Sequence, residues 1–227
     1  MTDFEVLKPF PGIIHVVYPN QVMLAKAFMR MQEYYESVIP GFKGRHFSRD
    51  EFKAAYAKMM GTGTNYEEFS YYDDWGGFNV PGDVADRFMW TFDPDLMETR
   101  LVKTIKDNKP KDDSPYYVIG TFRSGGDSII DHELSHAFWH LHDEYREMMQ
   151  KMTYGLPARF RSRLKRELNK MGYCEEVLDD ETAAYLSTST ILELDDLVDH
   201  ADIPWTQVLT FQRTFRSYLE NKSSGSK

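Results

Sequence analysis

Residues 116–142 read YYVIGTFRSGGDSIIDHELSHAFWHLH, and the change of pattern along them decides the fold. The stretch 116–122 is a short apolar and aromatic run, the composition of a buried strand. Residues 123–128 are small or polar and form a loop. From Ile129 apolar residues recur at helical spacing to about Met152, which predicts one long helix. Working outward, a second buried strand is expected at 12–18 (GIIHVVY), closed by Pro19-Asn20. A helix is expected at 21–39, stopped by Pro40-Gly41, and another from the capping-box pattern Ser48-Arg49-Asp50-Glu51 to about Met60. Residues 68–82 (EFSYYDDWGGFNVPG) read as two short strands or a tight hairpin, whose aromatics Tyr71, Tyr72, Trp75 and Phe78 with Asn79 either form an exposed rim lining a pocket or partner surface or pack beneath the hairpin. Further helices are expected at 82–92 and 94–105, at 157–171, through Thr188 after the acidic 175–181, and at 191–200 and 203–219. The sum is a mostly helical α+β architecture with a small sheet, read as a single domain over 1–220. Its first part, 1–110, carries no motif with a mechanism, its second part, 116–200, carries the site, and 221–227 is a small, polar, flexible tail.

Composition narrows the chemistry. Among 227 residues, 41% are hydrophobic, enough for a packed interior, and no apolar run is long enough to span a membrane. The net charge of -9 argues against a nucleic-acid partner, whose phosphates are bound by Lys and Arg. Cys174 is the single cysteine, which excludes an internal disulfide and any zinc site built from several thiolates, and suits a reducing compartment. Residues 1–11 lack a basic segment followed by an apolar one, so no secretory signal is read and a cytoplasmic location is expected. A metal in such a chain needs histidine and carboxylate ligands, and four of the seven histidines (His132, His136, His140, His142) fall within eleven residues.

Two of them belong to His132-Glu133-Leu134-Ser135-His136, the pattern H-E-x-x-H. On a helix His132 and His136 lie one turn apart and within ~40° of each other, so both imidazoles reach one ion. Glu133 is offset on the same side, placed to take a proton from an attacking water without ligating. The bland alternative is an ordinary amphipathic helix with packing histidines. A chance match has odds on the order of one in a hundred in such a chain, so the metal reading leads.

A catalytic zinc needs a third protein ligand. Glu181, on its own short helix after a reversal of chain direction, is the first choice. His142 completes a formal H-E-x-x-H-x-x-W-x-x-H, but on a continuous helix it points ~100° away, and a break at Trp139 is unfavourable. His140 sits about 12 Å from His132 along the helix axis, too far for one straight helix to supply all three ligands. His200 and Asp180 remain further candidates.

His132-Glu133-x-x-His136, followed 45 positions after His136 by Glu181-x-x-Ala184-Tyr185, resembles the zincin metallopeptidases, specifically the gluzincin pattern with a downstream helical glutamate. The resemblance covers roughly residues 116–188. It implies a zincin-like fold with H-E-x-x-H on its active-site helix, and a catalytic Zn2+ held by His132, His136 and Glu181. It further implies Glu133 as general base and acid, and hydrolysis of a peptide bond in a peptide or protein substrate. Where thermolysin-like members carry an aspartate four residues after the ligand, Tyr185 stands here, so supporting roles do not transfer. Trp139 replaces the glycine of the metzincin alternative.

Other residues carry lesser expectations. Tyr185 and His200 are candidate donors to a developing oxyanion, and Asp179 and Asp180 candidate partners for the free ring nitrogens of ligating histidines. Strand 116–122 is either a core strand or one whose edge pairs an extended substrate. The basic stretch Arg159, Arg161, Arg163, Lys165, Arg166 and Lys170 is expected to be a solvated face paired with acidic neighbours. Beside the peptidase reading stand a zinc-binding structural or interaction protein, and a metallohydrolase acting on a non-peptide amide or ester.

Overall fold

A computed structural model of the chain describes residues 4–61, 69–90 and 94–224. These fall into two compact units, Met1–Gly126 and Asp127–Lys227. The described residues are mostly helical, with a single four-stranded sheet. None of their helices is long and apolar enough to cross a membrane.

The first unit is built on the sheet. The expected strands form as β2 (Ile13–Tyr18) and β4 (Tyr117–Phe122), which pair in parallel with Ile13 opposite Tyr117 and Tyr18 opposite Phe122. Their mostly apolar sequences suit strands covered on both faces, with His15 and Thr121 as a polar pair between them. Two strands too short for a clear alternation flank them antiparallel, β1 (Glu5–Leu7) beside β2 and β3 (Phe78–Pro81) beside β4, giving the order β1-β2-β4-β3. Strand β4 therefore has a neighbour on each side, and its ladder has no edge left for an extended substrate; the core-strand reading holds. Helix α1 (Gln21–Glu36) is capped by Asn20, whose side chain accepts from Met23 N at 2.9 Å. It packs over the sheet against β3 and β4.

Helix α2 (Arg49–Met59) starts at Ser48, which accepts from Glu51 N at 3.1 Å, while the Glu51 carboxylate turns to Arg45 rather than closing a reciprocal box. Of the two short strands or hairpin expected in 68–82 one strand forms, β3, and the residues before it make the helical turn α3 (Tyr71–Asp74). Of the two readings of its aromatics packing holds: Tyr71 and Phe78 are buried in the core with Phe28 and Phe52, and Tyr72 and Trp75 are partly buried against it. Glu68 lies outside the described residues. Helices α4 (Gly82–Trp90) and α5 (Leu96–Asn108) follow, with residues 91–93 outside the described set. Helix α5 opens on a full capping box between Asp95 and Glu98, and the buried Glu98 also pairs with Arg30 of α1, Nε to Oε1 2.7 Å.

The second unit is helical. The expected long helix is two, α6 (Asp127–Leu141) and α7 (Asp143–Tyr154), because His142 leaves the helical region at φ -125°, ψ 103°. No Pro or Gly marks that break. Helix α8 (Ala158–Lys170) and a short 3-10 turn (Glu175–Val177) lead to α9 (Leu178–Thr188). Helix α9 packs against α6, α7, α8 and α11 (Trp205–Ser224), so it is buried on most sides, and Ala183 and Ala184 keep its girth small. Between α9 and α11 lie α10 (Ile191–Leu197) and the 3-10 turn His200–Asp202. Helix α11 continues to Ser224, so residues 221–224 are helical rather than part of a flexible tail, and 225–227 lie outside the described residues. The basic face of α8 meets acidic partners as expected, with Arg163 on Asp202 at 2.6 Å and Lys165 on Asp179.

Candidate metal centre

Helices α6 and α9, packed against each other in the second unit, carry the centre between them. His132 and His136 are one turn apart on α6, and their Nε2 atoms stand 3.1 Å from each other. Glu181, in the first turn of α9, brings its carboxylate up to both, with Oε1 3.5 Å from His136 Nε2 and Oε2 3.6 Å from His132 Nε2. Among the described residues this is the one group of three metal-ligating side chains whose donor atoms converge, all within 4.8 Å of one another. His136 and Glu181 are 2% and 3% exposed, and the His132 side chain 19%.

The residues fit a cation. Glu181 Oε2 is buried with no hydrogen-bond partner, an expensive state for a carboxylate oxygen unless something positive sits beside it. The far side of each imidazole is engaged: His136 Nδ1 lies 3.0 Å from Asp180 Oδ2, and His132 Nδ1 lies 3.3 Å from Thr188 Oγ1. Burial alone would lower the pKa of His136, but the Asp180 and Glu181 carboxylates outweigh it and hold that pKa well above the ordinary imidazole value. The site thus favours positive charge at the point where three donors meet. Two imidazole nitrogens and one carboxylate oxygen suit a borderline divalent ion.

Glu133 stands beside the ligands, 5% exposed, and shares its electrostatic surroundings with His136, Tyr173 and Tyr185. The Tyr185 ring meets His132 edge to face at 5.0 Å between centroids, and its hydroxyl lies 3.1 Å from that of Tyr173. Burial raises both phenols, Tyr185 to about 12, so each keeps its proton at neutral pH.

The other expected residues separate. Asp180 is the partner of His136, and Asp179 instead pairs with Lys165. His142 is not among the converging donors: its ring stacks on Phe138 at 5.5 Å and leans on Tyr218, and burial lowers its pKa. His140 is exposed on the outer face of α6. His200 is not brought to the centre either, because it is 64% exposed, pairs with Asp195 at 2.8 Å and stands against Trp205. Two contributors were not expected from sequence. Thr188 is seven residues after Glu181, two turns along the same face, a spacing visible in the sequence but shared by many residues. Tyr173 enters from the turn after Gly172, whose φ of 106° redirects the chain, and no periodicity points to it.

Comparison with protein-family models, with curated proteins and with solved structures returned no match.

Proposed function

We propose that the chain is a zinc-dependent metallopeptidase of gluzincin type, with His132, His136 and Glu181 holding the metal and Glu133 handling protons. One observation carries the reading: three donors of the His/His/Glu set converge between α6 and α9, with Glu133 buried next to the first of them. The resemblance of the H-E-x-x-H segment to the zincins supports the same choice of metal and reaction. Three protein donors, with no fourth among the described residues, match a catalytic zinc site rather than a closed structural one.

Zinc held there would supply Lewis-acid polarisation of the scissile carbonyl and a lowered pKa for a water in its coordination shell. The Glu133 carboxylate takes a proton from the attacking water and returns it to the leaving amine. Tyr185, protonated and backed by Tyr173, donates a hydrogen bond to the oxygen that gains negative charge. Asp180 holds the His136 ring in place.

The test combines elemental analysis of the purified chain with hydrolysis of a peptide library. Glu133→Gln is expected to retain one zinc per chain and lose hydrolysis by a factor of at least about 100, whereas His136→Ala loses both metal and activity. A Glu133→Gln variant as active as the parent sinks the peptidase mechanism. Zinc retention with hydrolysis of small amides or esters but not of peptides redirects the substrate assignment.

A further inference from the structure

We propose that Thr188 is a positioning residue of this centre, holding the His132 imidazole in the tautomer whose Nε2 lone pair faces Glu181. The proposal rests on reading the His132–His136–Glu181 cluster as a metal site. A threonine hydroxyl has one proton, and Thr188 donates it to the Ala184 carbonyl at 2.7 Å. Toward His132 Nδ1, 3.3 Å away, the oxygen has only lone pairs to offer. The ring nitrogen is therefore the donor and carries the imidazole proton, which leaves Nε2 as the acceptor. That Nε2 is the atom 3.1 Å from His136 Nε2 and 3.6 Å from Glu181 Oε2. The opposite tautomer would aim an N–H into the cluster and set two lone pairs against each other at Thr188.

His136 is held by the same logic with a different group, since Asp180 Oδ2 accepts from its Nδ1 at 3.0 Å. Helix α9 thus provides one ligand and the partners of both histidines, from positions 180, 181 and 188. Thr188 does for His132 what Asp180 does for His136, without adding a second negative charge beside the first.

Two substitutions separate the hydroxyl from the side-chain volume. Thr188→Val removes the acceptor at nearly constant size, and Thr188→Ser retains it. Zinc ion alone is titrated into the metal-stripped full chain, and the tautomer of the His132 ring is read from long-range 1H–15N correlations in the stripped protein. The spectrum is taken at about pH 8.5, two units above the ordinary imidazole value. The wild type and Thr188→Ser are expected to show the Nδ1–H form. Thr188→Val should show mixed tautomers and bind zinc about tenfold more weakly. The assignment is overturned by an Nε2–H form in the wild type, by a Thr188→Val variant that keeps both the pure tautomer and the parent affinity, or by a Thr188→Ser variant that restores neither. Because the tautomer is measured without metal, a wild type that binds no zinc refutes the metal reading while the spectrum still decides the role of Thr188.

Discussion

Glu181 and His142 each complete a ligand pattern on paper, and single substitutions tell them apart. Glu181→Ala removes a carboxylate that touches both imidazoles. Zinc affinity should fall by more than the roughly 10–100-fold that loss of a supporting partner causes. His142→Ala leaves zinc affinity unchanged in the same calorimetric titration. It lowers unfolding stability by roughly 1–2 kcal/mol, because its ring is packing material against Phe138 and Tyr218. The reverse pattern would place the third ligand at His142, in the break between α6 and α7, and overturn the assignment.

Elements show where packing overrides local pattern. Gly120 sits mid-strand in β4, and a Cβ there would come within 2.6 Å of Phe28 and 2.8 Å of Leu24, both on α1. Gly120→Ala is therefore expected to destabilise the protein by roughly 1–3 kcal/mol in urea unfolding, as α1 is pushed off the sheet. An unchanged midpoint would mean that α1 is not seated as closely as these distances require. The same contrast explains what the sequence made legible. Strands β2 and β4 were readable because parallel strands covered on both faces are largely apolar, here with His15 and Thr121 as the exceptions. Helix α1 was readable because its apolar positions keep helical spacing over several turns and Pro40-Gly41 follows them. Strand β1 was not, since three residues cannot establish an alternation, and of the two short strands read in 68–82 one forms, as β3. The break at His142 was hidden because neither Gly nor Pro marks it, and only the packing of His142 on Phe138 and Tyr218 shows what the turn achieves. In the site, His132, Glu133 and His136 are joined by local spacing. Glu181 had to be chosen among carboxylates, and Thr188 and Tyr173 act through tertiary placement alone.

The whole molecule carries a titration signature set by His15 in β2. This ring is buried, its Nε2 lies 2.7 Å from Thr121 Oγ1 of β4, and burial lowers its pKa to about 4. The native chain thus binds this proton later than the unfolded chain, which takes it up near the ordinary value of about 6.5. Stability is full above that value and falls as pH drops from about 6.5 to about 4, by at most about 3 kcal/mol from this group. The difference in unfolding free energy between wild type and His15→Gln isolates the effect, since other titrating groups cancel. That difference should change across this window, and a flat difference refutes it. A second consequence concerns which changes of chain length the centre can survive. Asp180, Glu181 and Thr188 are graduations on one helical ruler, each residue worth about 100° of rotation and 1.5 Å of travel. Inserting or deleting one residue between 181 and 188 would swing Thr188 off its histidine, and one between 132 and 136 would part the imidazoles. Length variation between 137 and 172, ahead of Tyr173, is judged by packing rather than by this ruler.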